Sequence, residues 1–379
     1  MRGAGGGLSM ADYSLLLSEA AAELPGFSVT RLAEDSHTPR PAPNFIYGNP
    51  DEHSLKFFHG GTYEPSLAVY GGREVHVDGP WFDIGALLSH DGVQMICPEL
   101  ALDPRREVAK AQLESTRLAL AHGTRRFRRV HGQALLFATI GHMGFGHWLV
   151  DFLPKLHLCE LAGVDLSKIK VLLPTSVGSF GLQFLRLCGF NEWQILPYNP
   201  DREVLVVQEL VMPTQIRWGG RTAKGFFEAV QFLHGLIDRH NRLPDMSGLE
   251  RIFVRRVAPH DHKPLHNGAA VEQAALEAGL KLFLPEQHSV LEQIAVYRRA
   301  RHMFGEYGST MHTAMFSRPG AVVGCIHQPL PVTFDALQSG IGERMHLITG
   351  YVFAQREETG DVIVDSTDVA RCLKDFFTI

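Results

Sequence analysis

The sequence predicts an α/β protein made of two doubly wound, Rossmann-like domains facing a cleft. Three observations carry this expectation. Strand and helix signals alternate regularly from about Ala134, the alternation restarts after a Pro/Gly-containing linker at 243–248, and 379 residues exceed what one hydrophobic core usually organises. Strand, helix, strand in succession makes parallel strands, and open parallel sheets take ligands at the carboxyl ends of their strands.

Composition narrows the function classes. A 45% hydrophobic and 20% charged chain is ordinary globular protein, and a net charge of -5 leaves no basic excess to neutralise phosphates, so nucleic acid is not an expected partner. The cysteines Cys97, Cys159, Cys188, Cys325 and Cys372 are scattered, odd in number and never at metal-ligand spacing. They read as reduced thiols without zinc, which points to the cytoplasm. The opening MRGAGGGLSM has glycines where a signal peptide has an apolar core, and no charge-free run of about 18 apolar residues occurs. No transmembrane segment is expected, while peripheral membrane contact stays open.

Taken in order, residues 1–10 read as disordered and 12–24 carry the apolar spacing of a short helix. Residues 25–104 are rich in Gly, Pro and Asp, with short apolar pieces at 66–70 and 93–97, so 1–104 is expected to be an irregular region of loops and short strands. A helix over 105–122, dense in Ala, Leu and Glu and stopped by Gly123, opens a domain over 105–243. Its strands are expected at 134–139, 169–173, 194–197 and 204–211, with helices from Phe145, over 179–187 and over 222–242. The second domain, 249–379, carries strand signals at 252–254, 281–284, 302–304 and 321–325. Helices are expected at 269–278, 289–300 and 310–316 and at the C-terminus.

Within the first alternation, the stretch GHMGFGHWLVDFLPKL at 141–156 gathers two histidines, a carboxylate, a lysine and a proline in an apolar setting. With a helix starting near Phe145, His147, Asp151 and Lys155 share one face, while Leu149, Phe152, Leu153 and Leu156 form the inward stripe. Chemistry and core would thus be separated. Pro154 costs about 3 kcal/mol or more inside a helix unless the helix bends or the carbonyl freed near Val150 finds a partner. Such breaches of local rules concentrate at functional sites, although a surface helix with a solvated polar face is the plainer alternative.

Three constellations follow in the second alternation. In Phe304-Gly305-Glu306-Tyr307-Gly308-Ser309-Thr310-Met311-His312 a strand runs through glycines into a helix start capped by Ser309 or Thr310, where amides and helix dipole suit anionic oxygens. Arg255-Arg256 follows a strand, with Lys263, His266 and Asn267 before the next helix, and cations in a strand-end loop suit a phosphate. Pro285-Glu286-Gln287-His288-Ser289 ends a strand, and a capping box of Ser289 with Glu292 accounts for all of it except Glu286. A plain strand-to-helix turn or a solvated loop is the bland account of the first two.

Together these pieces resemble glycosyltransferase family 61, which includes bacterial capsular-polysaccharide enzymes and eukaryotic xylosyl- and N-acetylglucosaminyltransferases. The resemblance spans about 134–326. It rests on a His-Trp/Phe-x-x-Asp-x-x-Pro-Arg/Lys-Leu element, here His147 to Leu156, and on Arg255 followed by Lys263 and Asn267. It continues with Glu286 and Gln293, and with a Gly-x-x-Gly-Ser/Ala-x-x-His/Asn-x-x-Phe element at Gly305 to Phe316. Lys155 and Lys263 stand where arginine is commoner, and Glu306-Tyr307 replaces the Pro/His pair of many members.

The resemblance implies a GT-B-like fold with an acceptor-side domain at 105–243 and a nucleotide-sugar-binding domain at 249–379. It implies inverting transfer from a nucleotide-sugar donor to a hydroxyl of a glycan or polysaccharide acceptor, with no separate cofactor. Inversion by in-line displacement needs a base and a stabiliser for the departing diphosphate. Asp151 is the expected base, oriented by His147 one turn away. Arg255, Lys263, the amides of Ser309, Thr310 and Met311, and His312 are expected on the diphosphate, with Asn267, Glu286 and Gly308 completing the donor site. No Asp-x-Asp pair occurs, so no metal bridging the phosphates is indicated. Two alternatives stay in view: a coenzyme-A-dependent acyltransferase, where the His-x-x-x-Asp histidine is the base, and a non-catalytic nucleotide- or glycan-binding protein. A metal site is a further thought, at His142, His147 and Asp151 or at His260-Asp261-His262; the latter reads as a polar loop, since no third ligand lies at a recognised spacing.

Overall fold

The computed structural model describes residues 26–39, 43–50, 61–64, 66–81, 85–90, 93–96, 106–218, 221–255, 265–328 and 341–378. The readings at 1–10 and 12–24, Lys263 and the His260-Asp261-His262 run lie outside the described residues. The chain divides into two compact units, Met1–Glu34 with Ser66–Gln215, and Asp35–Pro65 with Ile216–Ile379. Helix Phe226–His240 therefore falls in the second unit, where the sequence had set the boundary after it. Its buried face packs on the turn Ser309–Phe316, with His234 stacked on Phe316.

The first unit is a mixed sheet rather than the doubly wound parallel one expected. Strands Ile195–Tyr198, Lys170–Pro174, Arg126–Leu136 and Glu203–Pro213 are parallel neighbours in that order. Antiparallel strands Leu67–Trp81, Gly85–His90 and Val93–Ile96 continue the sheet, and Phe27–Ala33 also pairs with Leu67–Trp81. Residues 66–96, read as short pieces, thus include a strand of 15 residues. Gly71 and Gly72 hide it by interrupting the apolar alternation. At Gly72 the small residue is a packing requirement, because a Cβ there would stand 2.7 Å from the Phe27 ring and 2.6 Å from Val75. Val75, Val77, Leu136, Leu172, Leu205 and Val207 fill the core. Helix Arg106–Ala121 is tied to the sheet through buried Arg125, which donates to Thr116 Oγ1 (2.6 Å), Asp78 Oδ1 (2.8 Å) and the Glu203 carbonyl (2.9 Å).

The second unit carries the parallel plan in full. Lys281–Phe283, Arg251–Val254, His302–Glu306, Val322–His327, Ile348–Phe353 and Phe45–Tyr47 are parallel neighbours in that order. Helix Val290–Arg299 starts at the anticipated capping box, with Ser289 and Glu292 bonded reciprocally. The helix expected at 310–316 is instead a 3₁₀ turn, Ser309–Phe316, without a side-chain cap. Gly305 serves the sheet, since a Cβ there would lie 2.5 Å from the Val254 carbonyl oxygen.

Among the described residues no helix is long and apolar enough to cross a membrane. Cys159, Cys188, Cys325 and Cys372 are buried. Burial pushes the thiols of Cys159, Cys188 and Cys372 up to about 12, which removes the thiolate needed for nucleophilic or redox chemistry.

Candidate functional site

In the first unit, strand Arg126–Leu136 runs into a loop whose Gly141 and Gly144 precede the short helix Phe145–His147. The backbone then widens into a π turn, Trp148–Phe152, closed by the Leu153 amide on the Trp148 carbonyl at 2.9 Å. Helix Lys155–Leu161 follows, with Pro154 at its N-cap. This is how the chain accommodates the proline: the π turn ends one α segment and lets another begin where no amide is needed. Chemistry and core are not separated as the periodicity suggested. Leu149, Val150, Phe152 and Leu153 are all buried, and so are Asp151 and Lys155.

His147 Nδ1 lies 2.6 Å from Asp151 Oδ2, and the two side chains differ sharply in exposure, 39% for His147 against 2% for Asp151. A carboxylate can only accept, so Nδ1 is the donor, and in the neutral imidazole Nε2 is then the nitrogen with the lone pair. The imidazole sits in a glycine cradle: a Cβ on Gly141 would come within 2.6 Å of His147 Cδ2, and one on Gly144 within 2.9 Å. Gly141 is also at φ +74, where side chains are strained. Trp148 locks the loop from the other side by donating from Nε1 to the His142 carbonyl at 2.8 Å. His142 itself is held neutral, its pKa lowered to about 4 by burial, with Nε2 3.0 Å from Ser176 Oγ.

Lys155 does not lie on an open face. It is wholly buried, donating to the Phe137 carbonyl at 3.3 Å and to Thr139 Oγ1 at 3.4 Å, with its Nζ 5.3 Å from the Phe152 ring centre. It thereby fastens the loop that carries Gly141 to the helix after the π turn.

In the second unit, three neighbouring parallel strands end in the residues singled out above. Lys281–Phe283 leads to Glu286, Arg251–Val254 to Arg255, and His302–Glu306 to Gly308, Ser309, Thr310 and His312. Carboxyl ends of adjacent parallel strands are where open sheets bind ligands. Arg255 is ion-paired with Glu272 through Nη1, so only part of its guanidinium is open to a phosphate. Glu286 holds Oε2 away from solvent without a hydrogen-bond partner among the described residues. Asn267 has a structural use: its amide donates to the Val364 carbonyl (2.7 Å) and its oxygen accepts from the Val364 amide (3.2 Å). Sequence reasoning passed over Tyr297, whose hydroxyl donates to the Thr310 carbonyl at 2.9 Å. Gln293, on the same helix, donates to the carbonyls of Pro285 (2.9 Å) and His288 (3.1 Å). One helix therefore braces two of the three strand-end loops. The Tyr297 phenol is pushed up by burial and by the charge of Glu286. The four-residue spacing of Gln293 and Tyr297 was the available signal.

The fold and the dyad define an α/β protein with a carboxylate-backed imidazole following a parallel strand. The family model that matches is described as Glycosyltransferase 61 and covers residues 145–324, from the start of the dyad helix into strand Val322–His327. Over that span the chain is similar to glycosyltransferase family 61. Comparison with curated proteins finds no match. Among solved structures, a metal-soaked Flv1 flavodiiron core from Synechocystis sp. PCC6803 is similar at 9% identity and a TM-score of 0.22. That alignment covers 45% of this chain and 44% of the other, so this chain spans less than half of that structure, and so weak a likeness carries no argument.

Proposed function

We propose that the chain transfers a sugar, with inversion, from a nucleotide-sugar to a hydroxyl of a glycan or polysaccharide. The match to the Glycosyltransferase 61 model supports glycosyl transfer. The observation that carries the catalytic assignment is the 2.6 Å bond joining half-exposed His147 to buried Asp151. It exchanges the roles expected from the sequence: a carboxylate 2% exposed cannot meet an acceptor hydroxyl, whereas the imidazole can. His147 Nε2 takes the hydroxyl proton as that oxygen bonds to the anomeric carbon, and the bond to the diphosphate breaks with its electron pair leaving on the nucleotide. Asp151 keeps the imidazole in the required tautomer and stabilises its charged form. Arg255, His312 and the amides of Ser309, Thr310 and Met311 are assigned to the diphosphate, and two units with parallel strands support a GT-B reading.

Incubation with a panel of nucleotide-sugars and a glycan acceptor tests the reading through nucleotide release, since an acyltransferase using the same His147 base or a binding module releases none. Arg255→Ala should raise the donor KM and lower kcat. A hydrogen bond to a charged group contributes about 1.5–3 kcal/mol, so kcat/KM should fall roughly 10- to 150-fold. If no nucleotide binds or raises the Tm of the wild type at any salt concentration, the donor assignment fails.

Among the described residues no three His, Cys, Asp or Glu side chains gather as metal ligands do. We propose a metal-independent transfer, in which activity survives EDTA. Complete loss restored by manganese or magnesium would show that a cation takes part.

A further inference from the structure

The first unit contains a cavity of about 460 Å³ that plays no part in the chemistry above. Its floor is a row of exposed side chains brought level by strand register: Gln133, Glu209 and Arg73, partnered Cα to Cα across three neighbouring strands. Register partners share a face at roughly 5 Å spacing, so an amide, a carboxylate and a guanidinium span about 10 Å of one surface. A bulge sets the row. The register shifts between Val207 and Glu209, opposite Gly132 at φ +75, whose amide donates to Gln208 Oε1 at 3.0 Å. Bulges of this kind re-aim side chains beside binding sites. Ser28 and Thr30 add hydroxyls, and none of these five side chains bonds to another described residue. Ala162 and Val164 supply an apolar side.

We infer that this groove binds the non-reacting part of a neutral saccharide chain. The charges of Arg73 and Glu209 cancel, so a phosphate or carboxylate ligand gains nothing from the pair. Donors and acceptors set side by side suit sugar hydroxyls, each of which is both, and the apolar side suits the C–H face of a pyranose ring. The volume falls within the roughly 300–1,000 Å³ of small-ligand sites. Ala162 and Val164 follow helix Lys155–Leu161, whose other end follows the dyad segment. Seven residues at 1.5 Å each make about 10 Å, so a ligand here is gripped away from its reacting hydroxyl. The inference rests on the glycosyl-transfer reading and narrows it: the acceptor is a chain of several sugars.

The test applies the full chain to an array of neutral and acidic oligosaccharides, as wild type, as Glu209→Gln and as Arg73→Ala/Gln133→Ala, with Tm measured for each. The expected result is retention of neutral oligosaccharides longer than one sugar by the wild type, and at least tenfold weaker retention by both variants at unchanged Tm. Retention of no saccharide, of acidic ones only, or equally by wild type and variants overturns the groove assignment. Nucleotide release by the wild type is scored separately. Its absence, with saccharide retention intact and groove-dependent, overturns the transfer reading and not the binding site.

Discussion

His147→Ala and Asp151→Asn should each lower turnover by about 10² to 10⁴, the range a positioned base contributes. Asparagine keeps the shape of the buried aspartate, but its amide nitrogen, turned toward the ring, donates to Nδ1. That drives the imidazole proton onto Nε2 and removes the lone pair that must accept the hydroxyl proton. Donor KM should move little, because no diphosphate contact is assigned to either residue. Single-turnover rates together with Tm separate chemistry from folding. If Asp151 were itself the base, His147→Ala would cost distinctly less than Asp151→Asn. Near wild-type turnover in Asp151→Asn would sink the mechanism even for a working glycosyltransferase.

The alternation from Ala134 to Cys325 was legible because its strands are short apolar runs punctuated by glycine, proline and polar turns. Helix Ser179–Leu187 falls where the spacing put it, and strand Glu203–Pro213 differs from its expected bounds by a residue or two. What periodicity cannot convey is which elements cover a segment. His147 and Asp151 were found by their four-residue spacing, yet that spacing does not tell that one is exposed and the other buried, nor that Phe137, Phe180 and Phe184 close around the neighbouring Trp148. Asn267 matched a motif, but its partner Val364 lies 97 residues away and no local pattern announces it. The strand Phe45–Tyr47 was hidden for the same reason: three residues make a strand only because Ile348–Phe353 offers them an edge. Long-range pairing, not local propensity, decides such elements.

Gly141→Ala should abolish most of the turnover while leaving the fold in place, and it separates two effects usually confounded. At φ +74 an alanine is strained by roughly 1–2 kcal/mol wherever it occurs. Gly123, at φ +69 with nothing within 4 Å of its would-be Cβ, isolates that strain, so Gly123→Ala should lower Tm modestly and leave kcat unchanged. At Gly141 the added methyl also meets three atoms of the His147 ring at 2.6 to 2.8 Å, distances real Cβ atoms do not adopt. The ring must yield, because Gly141 is backbone in a loop fastened by Lys155 through Phe137 and Thr139. A displacement of about 1 Å at a reacting group can cost on the order of 10²-fold in rate, so kcat should fall about that far at a Tm matching Gly123→Ala. Equal kcat in the two variants would mean that the imidazole moves aside without consequence, and that its cradle has no bearing on catalysis.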